Sequence, residues 1–415
     1  MFRLIKKIRK IRSSLIEQNL VKKAEKETEK IDFLIQKLNQ KQCKTDLPIK
    51  VGFIVQLPEI WDKEAPVFER MLISQQFDPW LIVVPAYNTA SKKFEKYSSE
   101  LDYFKKTYPT AHILTSAELS NSFTKLKNYY FDYIFYQRCW ELYLPKALNT
   151  NQVIKYAKTC YIPYEYHNFQ NSKTYYKTRF FSNLYILFSC NKQQNDTYSP
   201  PGERKSVFLG CPSLSKITYT TRDFSRLRIL WTPRWETNPR YGGTSFFDYK
   251  DRWIPYKQAH PEDEIIFRPH PLTFEQAVST KQMTNKEVDE YKRRIKEAGI
   301  HFDSNARVDI TLDNINIMVT DYTSVIINAF LKGVVLIHCS KSPLIAPNEI
   351  LQSIINCSYH AQNWNEVEKL LDQLRNGNDP LREKREKLAN ALNDKNTDSD
   401  LAVLEFLIND MQQNK

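Results

Sequence analysis

NINIMVTDYTSVIINAF, residues 314–330, holds the change of period on which the fold turns. Its first half is a short, nearly all-apolar run, the pattern of a strand buried on both faces. A polar stretch, Thr320-Asp321-Tyr322-Thr323-Ser324, follows, and SVIINAFLKG then repeats apolar residues at helical spacing. Thr323 or Ser324 is a natural cap for that helix. Working outward, VVLIHCS (334–340) reads as the next strand, and EIIFRPHP (264–271) and LRILWTP (227–233) as strands before it. The same texture occurs upstream. KVGFIVQ, a helical stretch near 65–75 and PWLIVVP make a β-α-β unit, and FDYIFYQ (131–137), TCYIPYEY (159–166), LYILFSC (184–190) and SVFLG (206–210) continue it. Strands alternating with helices predict an α/β protein with mostly parallel sheets covered on both faces. The pattern restarts near Asp223. Two Rossmann-like domains facing a cleft are therefore expected, at 47–222 and 223–400, behind a helical segment 1–46 and ahead of a helical tail 401–415.

Composition narrows the chemistry. Of 415 residues only eight are glycine, and they form neither G-x-G-x-x-G nor G-x-x-x-x-G-K-[ST]. A dinucleotide fingerprint and a P-loop both need glycines where the backbone approaches a pyrophosphate. Phosphate must be held some other way. Seven cysteines with no C-x-x-C suggest buried thiols in a reducing compartment. No apolar run reaches the ~18 residues needed to span a bilayer.

The net charge is +12, and six of those positive charges stand in the first twelve residues: Arg3, Lys6, Lys7, Arg9, Lys10 and Arg12. Leu4, Ile5, Ile8, Ile11 and Leu15 recur among them at helical spacing. A basic amphipathic helix of this kind suits an anionic membrane surface, here the inner face of the cell membrane, and a solvated helix is the plainer reading. No recognition motif accompanies the charge, so nucleic acid is not expected as a partner. A seam through Leu20, Val21, Ile31, Leu34, Ile35 and Leu38 can pack back on the body or pair with a second copy of the chain.

In open α/β sheets ligands bind beyond the carboxyl ends of the strands. Polar clusters stand at several of these ends. Arg268-Pro-His270-Pro271 offers a cation and an imidazole on a loop stiffened by prolines, able to clamp and protonate a phosphate. Asp321, Thr323 and Ser324 open a helix whose free N–H groups and hydroxyls suit a phosphate without any glycine. Tyr164-Glu165-Tyr166-His167 offers a carboxylate and an imidazole as general base. WTPRWETNPRYGGTSFF (231–247) adds Arg234 or Arg240 for a phosphate and Trp231 or Trp235 for a base, with core packing an equal role for the rings. The only D-x-D, Asp398-Ser-Asp400, lies in the tail and reads as a helix cap, so no metal and no cofactor are expected.

R-P-H-P followed about fifty residues later by V-T-D-Y-T-S-V resembles the CDP-glycerol glycerophosphotransferase family, which builds teichoic-acid-like and capsular polymers. FLGCPSL (208–214), through Gly210 and Pro212, resembles its G-x-P segment, and LWTPRW resembles its strand ending in A-P-T-x-R. The resemblance covers about 160–340. It implies a GT-B fold, a CDP-alcohol donor bound mainly by the C-terminal half, a glycan or lipid-linked acceptor served by the N-terminal half, membrane association and no metal. An acceptor hydroxyl would attack the donor's β-phosphate and expel CMP. It implies His270, with His167 as base, for catalysis, and Arg268, Thr323, Ser324, Asp321, Arg234 and Gly210 around the donor. A related pattern in bacterial sialyltransferases and Kdo transferases leaves a CMP-sugar glycosyltransferase open, with Glu165 as base. A non-catalytic membrane-surface scaffold is the third reading.

Overall fold

The computed structural model describes residues 22–40, 48–88, 91–96, 99–119, 122–164, 175–238, 242–303, 305, 308–339, 343 and 345–413. They form two compact units. The first holds the described residues up to Tyr164, those to Leu209 and those from Asp400 onward; the second holds Gly210–Ser399.

The first unit is built on β1 (Ile49–Val55), β2 (Phe77–Val83), a small hairpin of β3 (Tyr87–Asn88) and β4 (Lys93–Phe94), then β5 (His112–Leu114), β6 (Tyr133–Tyr136), β7 (Lys158–Tyr161), β8 (Ile186–Phe188) and β9 (Lys205–Val207). Seven of these make one parallel sheet in the order β5-β2-β1-β6-β7-β8-β9. Every side chain of β6, β7 and β8 is buried, as expected where helices cover both faces. Aromatic rings bind neighbouring strands: Phe53 of β1 lies in register with Phe135 of β6, their rings stacked at 4.9 Å. Trp61 and Phe68 close edge-on over Phe53.

The second unit is smaller: β10 (Arg228–Thr232), β11 (Glu264–Phe267), β12 (His301–Phe302), β13 (Ile317–Thr320), β14 (Val335–His338) and β15 (Tyr359–His360), in the order β12-β11-β10-β13-β14-β15, all parallel. Trp231 of β10 stacks on its register partner Phe267 of β11 at 4.3 Å, and Phe246 and Trp253 pack on the pair. Of the two tryptophans that sequence offered to a nucleotide base, Trp231 and Trp235, the first is thus a wholly buried core residue. The short strands β5, β12 and β15 escape sequence reading because two or three residues carry no period.

Both sheets are wound alike. The chain moves from β1 out to β5, then returns to the other side of β1 and continues from β6 to β9. It repeats this from β10 to β12 and from β13 to β15. The winding therefore reverses between β1 and β6, and again between β10 and β13. At such a switch point the two loops leave in opposite directions and open a crevice at the carboxyl ends of the strands.

The boundary falls at 209/210, earlier than the expected 222/223. The reason is local. Thr220 donates its N–H to Lys332 O, and Thr220 O lies so close to Gly333 that a Cβ there would stand 2.1 Å from it. Arg222 holds the carbonyls of Leu312, Asp313 and Lys332. The segment 210–222 is thereby sewn to the second unit. The helix Ser399–Gln413, set apart from sequence as a tail, belongs from Asp400 onward to the first unit. Its Asp410 enters the amino edge of the first sheet, where it accepts from Lys158 (2.9 Å), Tyr133 (2.6 Å), Tyr185 (2.7 Å) and Lys205. Those cations and hydroxyls outweigh the burial and hold its carboxyl down at about 2.

Residues 22–40 are helical, and Ile31, Ile35 and Leu38 are buried. Asp32 accepts from the N–H of Glu203, and Thr28 accepts from Arg204. This part of the seam packs on its own chain. The basic stretch 1–15 lies outside the described residues. Six cysteines, Cys139, Cys160, Cys190, Cys211, Cys339 and Cys357, are buried. No helix among the described residues is long and apolar enough to cross a membrane.

Candidate functional site

Three loops leave adjacent carboxyl ends in the second unit: Pro233–Arg234 after β10, Arg268–Pro271 after β11 and Asp321–Ser324 after β13. Arg234 joins them. Its Nη1 donates to Tyr322 O at 3.0 Å, across the switch point from β10 to β13. Its Nη2 stands 3.5 Å from Glu236. Its charge also reaches His270 on the β11 side strongly enough to lower that imidazole's affinity for a proton.

Asp321 fixes this geometry. Its Oδ2 accepts the backbone N–H of Arg234 and that of Ser245, both at 2.9 Å, and Thr244 Oγ1 donates to Arg234 O at 2.5 Å. The sequence expectation placed Asp321 on the donor phosphate. A fully buried carboxylate would repel that phosphate, and here it clasps the loop that carries Arg234.

His270 is held as a hydrogen-bond donor. Its Nδ1 accepts the N–H of Leu272 at 3.1 Å, so the neutral ring carries its proton on Nε2. Trp235 stacks on it, centroids 5.6 Å apart. Desolvation by the crowded surroundings, then the charge of Arg234, push it down to about 4. The residue is exposed, which screens part of both effects, and the ring is largely neutral at pH 7 either way. Against the sequence expectation of an imidazole titrating near neutrality, desolvation and then Arg234 hold this ring below its ordinary value.

Ser324 stands at the N-cap of the helix Val325–Leu331, yet its side chain makes no capping bond, and it is exposed. Thr323 Oγ1 approaches Thr320 Oγ1 at 3.4 Å. The side-chain capping role is therefore left unfilled, while the N–H of Ile326 reaches Thr323 O at 3.4 Å.

Two expected donor ligands are employed elsewhere. Arg268 Nη1 donates to Asp303 at 2.6 Å and to Asn305 O at 2.8 Å, and Asp303 also takes Thr311 at 2.7 Å, so Arg268 pins the end of β11 to the loop after β12. Gly210 has φ +86°, and a Cβ there would stand 2.8 Å from Ser399 Cβ and 3.0 Å from Lys395 O. Its lack of a side chain serves packing against that turn. Glu165, His167 and Arg240 lie outside the described residues.

His338, at the end of β14, gave no sequence signal. Its ring meets that of Tyr322 edge-on at 4.4 Å, and burial pushes it down to about 3, so it braces the residue whose carbonyl Arg234 grips. Among the described residues one trio, His260, Glu262 and Asp263, brings metal-ligating atoms within 4.8 Å of one another. Asp263 is already taken by Tyr256 and Arg375, and the trio lies at the amino end of β11, on the other edge of the sheet.

No protein-family model and no curated protein sequence matches the chain. Solved structures do. A UDP-GlcNAc 2-epimerase from Neisseria meningitidis, bound to UDP-GlcNAc, superposes with TM-score 0.54 at 9% identity over 87% of this chain and 100% of that one. The wall teichoic acid polymerase TagF gives 0.52 at 12% identity over 97% and 98%. The S. aureus MnaA–UDP structure gives 0.50 at 14% over 86% and 94%. At such identities the likeness is one of fold, and the fold is GT-B.

Proposed function

We propose that this GT-B chain transfers a polyol phosphate from a CDP-alcohol to a hydroxyl of a cell-surface glycan or lipid-linked acceptor, releasing CMP. The observation that carries the reading is Arg234, which ties the switch point of the second unit together and sets its charge beside a neutral, Nε2-protonated His270. The ordered R-P-H-P and T-D-Y-T-S motifs supply the donor class, and the fold shared with a teichoic acid polymerase agrees with it.

In this mechanism the acceptor oxygen attacks the β-phosphorus and gives its proton to a base. The bond from that phosphorus to the bridging oxygen breaks, and CMP leaves with the electron pair. Arg234 and the N–H groups at the start of Val325–Leu331 stabilise the growing negative charge, a task in which preorganised donors gain from low dielectric. Ser324 and Thr323 orient phosphate oxygens. The Nε2–H of His270 donates to the leaving phosphate, and the anion's charge raises the pKa of the ring toward the range of a general acid. Glu165 and His167 remain the candidates for the base.

The test is a donor panel of CDP-glycerol, CDP-ribitol, CMP-sialic acid, CMP-Kdo and UDP-GlcNAc, scored by nucleotide release, with a thermal-shift titration of CMP and UDP. The expected result is CMP release from a CDP-alcohol and a rise in Tm with CMP. Release from a CMP-sugar alone would move the reaction to an anomeric carbon. Turnover of UDP-GlcNAc with no response to CMP would overturn the reading.

A further inference from the structure

The first unit has its own switch point, between β1 and β6, and it too carries an arginine: Arg138, two residues past the end of β6. Its surroundings are unusual. Nη2 donates to Gln56 Oε1, in the loop after β1, so the guanidinium bridges the two strands between which the winding reverses. The guanidinium carbon stands 4.7 Å over the ring of Tyr143. Nε is sealed from solvent with no hydrogen-bond partner. Among the described residues no carboxylate pairs with this cation; the groups that act on its charge are Tyr143, Tyr164 and Cys139.

The amide of Gln56 cannot be turned to change this. Its Nε2 donates to two carbonyls, Pro85 O at 2.6 Å and Tyr143 O at 3.0 Å, and a carbonyl only accepts. Oε1 is thereby directed at Arg138. Gln137 locks the same loop: its Oε1 accepts from the N–H of Gln56 and of Leu57, and its Nε2 donates to Leu57 O. An elaborate polar clasp thus presents a cation and supplies a neutral oxygen where a carboxylate would neutralise it. Arg138 is half-buried, and this desolvation pushes it down to about 10. Elsewhere in this unit buried cations are neutralised, as Lys158 is by Asp410. Tyr143 also lines a cavity of about 360 Å³ with Trp140, Leu142, Phe180 and Phe181, whose wall also carries Glu141, already neutralised by Arg179 at 2.8 Å; Trp140 and Leu142 are exposed.

We propose that Arg138, held by Gln56 over Tyr143 at the switch point of the first unit, binds an oxyanion on the acceptor substrate, a phosphate or carboxylate group, whose carbon skeleton lies toward the aromatic cavity. The missing counter-ion is then the substrate's own. The acceptor role rests on the transferase reading above; the anion site does not.

The experiment uses the full chain and three small probes of similar size: sn-glycerol 3-phosphate, D-glycerate and glycerol, titrated by calorimetry into the native protein and Arg138→Gln, with CMP titrated into both. The expected result is that the native protein binds a charged probe and not glycerol, and that Arg138→Gln weakens the charged probe about tenfold or more while CMP binding is unchanged. Which charged probe binds tighter identifies the anion. Equal affinity of a charged probe for both proteins, or no binding of either charged probe to the native protein, overturns the inference. Loss of CMP binding in the native protein overturns the transferase reading and leaves the anion site standing on its own data. A second measurement needs no variant: phenylglyoxal modification of Arg138, followed by peptide mass spectrometry, is slowed by the charged probe and not by glycerol. An unchanged modification rate overturns the inference as well.

Discussion

At the carboxyl edge of each sheet an arginine spans the point where the winding reverses, but the two are partnered differently. Arg234 reaches the carbonyl of Tyr322 and lies near Glu236. Arg138 reaches the amide oxygen of Gln56 and stacks on Tyr143. The neutral amide orients the guanidinium of Arg138 without cancelling its charge, whereas Arg234 has Glu236 within ion-pair distance, at 3.5 Å. The amino edge of the first sheet does the opposite: Lys158 and Lys205 close on Asp410. Within one sheet, then, charge is cancelled at the edge that seals the C-terminal helix and left available at the edge where switch points open crevices.

The largest effect should come from the cancelled edge. Asp410→Ala leaves Lys158 fully buried without its counter-ion and is expected to cost about 3–5 kcal/mol of stability. Urea unfolding reads this, and a loss below ~1 kcal/mol would break the contrast between the edges. The carboxyl of Asp410 lies below its unfolded value of 3.8. Its contribution is therefore complete above about pH 4 and lost as pH falls toward about 2.

At the open edge the loss should appear in turnover. Arg234→Gln is expected to lower transfer about 10²–10³-fold, the size found for removing one preorganised donor to developing charge. Its midpoint in urea should move far less than that of Asp410→Ala. Equal losses of folding in both variants would show that Arg234 is simply a structural cation.

Ser324→Ala sharpens the comparison further. Removal of an N-cap hydroxyl ordinarily costs about 1 kcal/mol. Here the hydroxyl makes no capping bond, so stability should stay within about 0.5 kcal/mol while CMP binding weakens. A full capping loss with unchanged CMP affinity would return Ser324 to the fold.

The smallest effect concerns His270. Its folded pKa, about 4, lies below the ordinary 6.5. The unfolded chain binds the extra proton, so this group removes stability as pH falls from about 6.5 to about 4. A thermal-shift series across that window should be slightly flatter in His270→Gln. Parallel curves would mean that the ring titrates normally.

Much of this was legible in the sequence, for identifiable reasons. The strands next to the site are four or five residues long, nearly all apolar and bounded by proline or polar turns, so their ends could be placed. His270, Thr323 and Ser324 stand where such ends put them. Arg234 was named as well. Arg138 was not, although FDYIFYQR delivers it as directly as EIIFRPH delivers His270. No motif surrounds it, and its isolation from carboxylates among the described residues is a fact of three dimensions. Arg268 and Asp321 show the converse. Their chemistry suits a phosphate site, but Asp303 and two backbone amides had first claim on them.

What the sequence determined by itself is local and periodic: two α/β halves, the strand ends that carry polar groups, and the absence of glycine loops for phosphate. What only the tertiary structure decided is which charges meet. Lys158 and Asp410 are 252 residues apart, and Gln56 and Arg138 82 apart. Hydrophobic periodicity reports on the nearest turn or strand, while the partner of a buried charge is chosen by the winding of the whole sheet. That choice makes one cation a staple and leaves another waiting for an anion.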